Sequence, residues 1–246
     1  MKHGKTLILA YDQGLEHGPS DFNEKNIDPK YVLDIAKGGK FNAVVLHKGI
    51  AEKYRDKIRV PLIVKLNGKT SIGNHEPISG ITCSVEKAVR LKASAVGFTI
   101  YIGSEKEYKM FREFSKIQEE AHKRGLGVIA WIYPRGKAVR NDGKFMAYAA
   151  RVGLELGADI IKLKYNGNKN DLKWAVKCAG RARVVVAGGV KENEIKFLRQ
   201  VKDIMEAGAA GLAIGRNIWQ SEDPTMITKK VKEIIWWCYL LILKII

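Results

Sequence analysis

Residues 159–167, with the sequence DIIKLKYNG, combine a short β-strand pattern with two lysines and a closing glycine loop. Successive side chains of a strand point to opposite faces, so Ile161 and Leu163 share one face and Lys162 and Lys164 share the other. A lysine that faces a protein interior has a lowered amine pKa, which allows it to attack a carbonyl and form a Schiff base. The segment alone is equally consistent with an edge strand whose lysines face water.

Two further side chains could transfer protons beside such a lysine. Tyr133 and Trp131 lie on one face of the strand pattern 126–133, and apolar residues occupy the other face. If the apolar face packs on helices, the phenol of Tyr133 points inward, where it could move a proton to or from a substrate. Asp12 ends the pattern 6–12 on its inward face, so its carboxylate could pair with an inward lysine, orient it or take part in proton transfer. A core tyrosine and a structural ion pair are the corresponding alternatives.

Glycines follow the last two strand patterns. Gly188 and Gly189 come after the seventh, and Gly215 comes after the eighth, followed directly by Arg216. Glycine leaves the backbone N–H groups open to the approach of an anion, and arginine adds a charged donor fork, so the two loops predict a phosphate site. Ordinary tight turns are the alternative. His17 could contact a second anion, and it could equally cap a loop.

The sequence carries none of the common metal or nucleotide motifs. The histidines show no metal-ligand spacing, and the same holds for the three cysteines, Cys83, Cys178 and Cys238. Neither a G-x-S-x-G elbow nor a P-loop is present. A mechanism without a metal or other cofactor is therefore the simpler expectation. The scattered cysteines and the absence of a leader-like segment predict a cytoplasmic protein.

The reactive residues belong to a chain in which strand and helix patterns alternate eight times. The strand patterns are residues 6–12, 41–47, 61–66, 95–101, 126–133, 159–164, 183–187 and 210–214, and a long polar loop occupies 67–82. This alternation predicts an α/β fold, a single (β/α)8 TIM barrel over residues 1–246, with the site where the strands end. A doubly wound open sheet is the alternative, but no GxGxxG motif follows the first strand.

The chain ends in an apolar segment, predicted as a helix over about residues 225–246. Residues 234–246 are apolar except Lys244 and are too few to span a bilayer. We expect this helix to be buried against the barrel or another subunit, with an interfacial membrane helix as the alternative.

The formal net charge of +17 admits two explanations. Nucleic-acid binding is one, and a basic surface that attracts anionic small substrates is the other. The basic residues are spread along the whole chain and form no recognition motif, which favours the second explanation.

Six segments, in this order along the chain, resemble the archaeal-type class I fructose-1,6-bisphosphate aldolases. They are residues 8–19 (ILAYDQGLEHGP), 65–70 (KLNGKT), 131–136 (WIYPRG), 161–167 (IKLKYNG), 188–189 (GG) and 213–217 (AIGRN). The chain departs from the family at Val190, where proline is usual, and at Asn168, where aspartate is usual.

The resemblance implies a role for each candidate residue. Lys162, rather than Lys164, is implied to be the Schiff-base lysine. Tyr133 is implied to deprotonate the substrate C4 hydroxyl and to transfer protons at C3. Asp12 is implied to assist imine formation.

The resemblance also implies the substrate contacts and the partners. The loops at Gly188, Gly189, Gly215 and Arg216 would bind the dihydroxyacetone-phosphate end, and Arg135 the second phosphate; Trp131, His17 and Lys164 complete the expected substrate-binding set. The implied substrate is a phosphorylated sugar, with no cofactor and assembly as a large homo-oligomer. The alternative activity is that of the 2-amino-3,7-dideoxy-D-threo-hept-6-ulosonate synthases of the same family. A further alternative is a protein that binds phosphosugars without catalysis.

Overall fold

A computed structural model describes residues 4–73, 76–137, 139–140 and 142–242, except for the side chains of residues 237–242. Within these ranges eight parallel strands form a closed barrel in which each strand pairs with its neighbours in sequence, and the first pairs with the last. The strands are β1 (Thr6–Ala10), β2 (Ala43–His47), β3 (Leu62–Lys65), β4 (Ala95–Ile102), β5 (Gly127–Pro134), β6 (Ile160–Lys164), β7 (Arg183–Ala187) and β8 (Gly211–Ile214). The predicted TIM barrel is confirmed, and the open sheet is not formed.

Helices follow the strands of the barrel. The larger ones are α1 (Pro29–Gly38), α2 (Lys48–Lys53), α3 (Val85–Arg90), α4 (Glu107–Lys123), α5 (Gly143–Glu155), α6 (Lys169–Cys178), α7 (Glu194–Glu206) and α8 (Pro224–Ile242). Several begin at side-chain caps that the sequence displays. Asp28 accepts a hydrogen bond from the Lys30 N–H at 2.9 Å, and Asn168 caps α6 in the same way.

The alternation of side chains along each strand separates two apolar regions. One face packs on the helices, as Ile161 and Leu163 of β6 do. The other face fills the barrel interior with Ile8, Ala43, Val45, Ile63, Ile129, Trp131, Val185 and Ala213. Polar groups that follow these residues toward the carboxyl ends of the strands therefore face the mouth of the barrel.

Two connections contain structure that the sequence pattern does not indicate. Asn67–Gly68 pairs with Gly80–Ile81 in a two-stranded antiparallel sheet, so part of the predicted polar loop is regular structure. After β1 the chain forms one helical turn, Gly14–His17, and a 3-10 turn, Gly18–Asp21. Strand β1 itself ends at Ala10, two residues before Asp12.

The C-terminal helix α8 packs on the barrel through Ile227, Val231 and Ile235, which are all buried. This confirms the burial of its first part. The tail beyond Trp236, for which the sequence predicts further burial, lies outside the described side chains. No helix in the described part of the chain is long and apolar enough to cross a bilayer.

Candidate active site

A cavity of ≈ 420 Å³ opens at the carboxyl ends of the barrel strands. All of the candidate residues line it: Asp12, His17, Trp131, Tyr133, Arg135, Lys162, Lys164, Gly188, Gly189, Gly215 and Arg216. The residues come from five different strands or the loops after them. The fold thus brings together groups that are up to 204 positions apart in the sequence.

Lys162 is the innermost reactive group of β6. Its register places it between Trp131 of β5 and Val185 of β7, and its side chain is 5 % exposed. Burial lowers the pKa of its amine to about 8; Asp12 opposes this shift, and Lys65 adds to it. At neutral pH the amine therefore has a substantial unprotonated fraction, which is the nucleophilic form.

Lys164 differs from Lys162 although it shares the same face of β6. It lies at the end of the strand, where its side chain is exposed at the rim of the cavity. The alternation along the strand places both lysines on the same face, but only Lys162 is desolvated, because Lys164 lies at the open end of β6.

Lys65, at the end of β3, is a second buried lysine that the candidate set omits. It is 6 % exposed, and its Nζ lies 3.6 Å from Asp12 Oδ2. Burial lowers the pKa of Lys65, an effect that Asp12 partly offsets. Burial alone would raise the pKa of Asp12, but the two lysines Lys162 and Lys65 bring it below its usual value. Asp12 is therefore ionised and paired with Lys65.

Trp131 separates the site from the apolar barrel interior. The Nζ atoms of Lys65 and Lys162 each lie 5.0 Å from a ring centroid of its indole, a distance typical of cation–π contacts. The indole has room because it lies over Gly97 of β4, which pairs in register with Ile129 and where a Cβ atom would overlap the ring.

Tyr133 lies one step closer to the mouth than Trp131 and pairs in register with Tyr101. Burial, with the nearby carboxylate of Asp12 as the next cause, raises the pKa of its phenol well above the usual value. The hydroxyl is therefore protonated at neutral pH and can donate a proton, and it can accept one only after it has released its own.

His47, at the end of β2, fixes the backbone next to Asp12. Its Nε2 lies 3.1 Å from the Asp12 carbonyl oxygen, which requires a proton on Nε2. Burial lowers the pKa of the imidazole, so the neutral Nε2–H form suits this contact. The sequence gives one signal for both His47 and Lys65, namely that each is polar at the end of an apolar strand.

The loops after β7 and β8 have the backbone geometry of an anion site. Gly189 has φ of +68°, a conformation that favours glycine, and a Cβ atom at Gly215 would overlap the Ala10 carbonyl oxygen. The N–H groups of Gly189 and Val190 donate to no acceptor within the part of the chain that the structure covers. Donors without protein acceptors at a cavity wall are suited to a phosphate.

Both arginines of the candidate set are paired with carboxylates from the loop after β1. Arg216 Nη1 lies 3.2 Å from Asp21 Oδ1, and Arg135 Nη1 lies 3.3 Å from Glu16 Oε1. His17 Nδ1 contacts Asp21 Oδ2 at 2.6 Å. His17 is therefore bonded within its own loop, as the capping alternative suggests, while remaining at the cavity wall. Each arginine therefore forms an ion pair with a carboxylate that the sequence pattern does not identify as its partner.

Among the described residues, no group of three or more His, Cys, Asp and Glu side chains could hold a metal ion.

Comparison with known proteins gives closely related sequences and a closely related structure. The chain is 50 % identical over 240 residues to the class 1 fructose-bisphosphate aldolase of Thermoproteus tenax, covering 96 % of this chain and 91 % of that protein. It is 44 % identical to the enzyme of the same name from Halobacterium salinarum, covering 96 % and 92 %.

A solved archaeal fructose-1,6-bisphosphate aldolase, with its catalytic lysine covalently bound to the carbinolamine intermediate of the substrate, superposes with a TM-score of 0.92. It is 49 % identical, and the match covers 96 % of this chain and 95 % of that one. The model of the DeoC/LacD family aldolases matches residues 6–221. This match spans all eight strands and both glycine loops, and the chain therefore belongs to the DeoC/LacD family of aldolases.

Proposed function

We propose that this chain is a class I fructose-1,6-bisphosphate aldolase that reversibly cleaves its substrate to dihydroxyacetone phosphate and glyceraldehyde 3-phosphate through a Schiff base on Lys162. The observation that carries the assignment is a buried lysine with a pKa of about 8 at the bottom of the cavity, beside an ionised aspartate. The relatives at 50 % and 44 % identity, both named class 1 fructose-bisphosphate aldolases, support it.

The lowered pKa makes the first step possible at neutral pH. With a pKa of about 8, roughly a tenth of the Lys162 amine is unprotonated at pH 7, against about 0.03 % for an ordinary lysine. The free amine adds to the C2 carbonyl and gives a carbinolamine. Loss of water, with proton transfer assisted by Asp12, then gives the protonated imine.

The imine serves as the electron sink for bond cleavage. When the C4 hydroxyl loses its proton, the C3–C4 bond breaks, glyceraldehyde 3-phosphate leaves, and the electron pair moves to the imine nitrogen as an enamine. Protonation at C3 and hydrolysis then release dihydroxyacetone phosphate and regenerate the Lys162 amine. We assign to Tyr133 the transfer of this proton from the C4 hydroxyl to C3, because its phenol faces the same cavity. The phenol must first release its own proton to solvent, so that the phenolate can take the C4 proton and then deliver it to C3.

Two sets of donors at the cavity wall are suited to the two phosphates of the substrate. We assign the phosphate of the dihydroxyacetone end to the loops at Gly188, Gly189, Gly215 and Arg216. We assign the other phosphate to Arg135, which lies on the loop after β5. Trp131, His17 and Lys164 complete the proposed set that contacts the substrate.

The expected activity is cleavage of fructose 1,6-bisphosphate in the presence of a metal chelator, with both triose phosphates formed in equal amounts. Fructose 1-phosphate, which lacks the phosphate assigned to Arg135, should be cleaved with a KM at least about tenfold higher, since a charge-assisted contact is lost. Coupled assays for each product measure both substrates. Negligible cleavage of the bisphosphate, with condensation of other carbonyl donors intact, would contradict this substrate and favour the heptulosonate synthase.

Assembly, extent and location are further proposals. We infer that residues 1–246 form one domain and that the protein is cytoplasmic. We also infer a large homo-oligomer, which exposed apolar side chains such as Trp174 and Ile195 support. Nucleic-acid binding is not part of the proposal, because the basic residues are dispersed and many are paired with acids on the surface.

A further inference from the structure

We propose that Asn217 is the positioning residue that shapes the phosphate loop, by linking the loop after β8 to the loop after β7. Asn217 follows Gly215 and Arg216 on a short helical turn, Arg216–Trp219. It does not line the cavity, and it has no role in the chemistry described above. Its side chain is 1 % exposed and lies behind the glycine loop.

The side-chain amide of Asn217 forms three hydrogen bonds to the backbone of the loop after β7. Its Nδ2 donates to the Gly188 and Val190 carbonyl oxygens, each at 2.8 Å. Its Oδ1 accepts from the Glu192 N–H, also at 2.8 Å. Both N–H donors of the amide and its oxygen are thus used on a single five-residue stretch of backbone.

These contacts set the direction of the loop peptides. In a trans peptide the N–H points opposite to the C=O. Because the Gly188 carbonyl points to Asn217, the N–H of Gly189 points away from it. Gly188 and Gly189 line the cavity while Asn217 does not, so the Gly189 N–H is held on the cavity side. A phosphate then meets a donor that needs no reorganisation, which favours anion binding.

Only an asparagine-sized amide can provide this combination of groups. A leucine has nearly the same shape but leaves two carbonyls and one N–H without their partner. A serine can satisfy one of the carbonyls. A buried asparagine that served stability alone would affect every ligand of the site equally, whereas a residue that aims the N–H groups affects only ligands that carry the phosphate.

The inference rests on the proposed function, and the experiment separates the two. Wild type, Asn217→Leu and Asn217→Ser are incubated with dihydroxyacetone phosphate or with dihydroxyacetone and cyanoborohydride. The ketone concentration for half-maximal labelling of Lys162 is then measured. Asn170→Leu, at an exposed position on α6, is the matched control. Circular dichroism and the melting temperature establish that each variant is folded.

We expect the half-maximal concentration of dihydroxyacetone phosphate to rise roughly tenfold or more in Asn217→Leu, and by less in Asn217→Ser, because hydrogen bonds that serve a charged ligand are lost. The value for dihydroxyacetone should stay within about twofold of wild type. Equal changes for both ketones, or no change for either, would overturn the positioning role while leaving the aldolase proposal intact. Absence of labelling in the wild type would overturn both.

Discussion

Replacement of Lys162 by methionine is expected to lower the rate of fructose 1,6-bisphosphate cleavage at least about 10⁴-fold, because it removes the amine that forms the electron-accepting imine in the proposed mechanism. Methionine keeps most of the side-chain volume above Trp131. The measurement is kcat/KM in a coupled assay with a metal chelator present.

The same variant should be at least as stable as the wild type at neutral pH. Burial holds the pKa of Lys162 at about 8, against 10.5 in the unfolded chain. Below pH 8 the amine is mostly charged in both states, and burying that charge lowers the free energy of unfolding. This cost is roughly 3 kcal/mol at pH 7, and it disappears as the pH rises from 8 toward 10.5. The advantage of the methionine variant in thermal melting should shrink over that same pH range.

The control for Lys162→Met is Lys173→Met, at an exposed position on α6. It makes the same chemical change outside the cavity and should retain wild-type cleavage. If Lys162→Met kept more than a few per cent of the wild-type rate, the imine assignment would be wrong. A variant that melted much lower than the wild type would contradict the desolvation cost of Lys162.

Replacement of Tyr133 by phenylalanine is expected to reduce kcat for cleavage by about 10²–10⁴-fold, the usual contribution of a positioned acid or base. The ring and its packing beside Trp131 remain, and only the hydroxyl is removed. Because imine formation depends on Lys162 and Asp12, the variant should still be labelled on Lys162 by a ketone and cyanoborohydride. The loss should therefore appear in kcat for cleavage and in the exchange of the C3 proton.

Tyr148→Phe, at a position on α5 that is 62 % exposed, is the matched control for this change. It should cleave the bisphosphate at the wild-type rate. An unchanged kcat in Tyr133→Phe would remove Tyr133 from the mechanism. Tyr101 or a solvent molecule would then be left to transfer the proton.

Much of the site could be predicted because the alternation of side chains along a strand and the closure of parallel strands into a barrel follow simple rules. The period of two along β6 places Lys162 opposite Ile161 and Leu163, and the same rule places Tyr133 and Trp131 together on β5. Parallel strands that close into a barrel bring their carboxyl ends to one face. Residues at the ends of these strands must then meet around one cavity, whatever their distance in the sequence.

The contacts that the sequence could not indicate depend on the lengths and directions of side chains from different strands. The partner of Asp12 is Lys65, on β3, although the sequence suggests only an unspecified inward lysine. The pairs Arg216–Asp21 and Arg135–Glu16 depend on how two short helical turns fold after β1. Asn217 is a further case, because its role arises from the backbone of a loop that precedes it by more than twenty residues.

The most direct test of the central claim is to trap the intermediate and locate it. The protein is incubated with fructose 1,6-bisphosphate, cyanoborohydride and a metal chelator, and the labelled peptide is identified by mass spectrometry. We expect one substrate-derived adduct on Lys162, formed faster as the pH rises toward 8 because more of the amine is then unprotonated. An adduct on Lys65 or Lys164 instead, or cleavage that proceeds without any adduct, would contradict it.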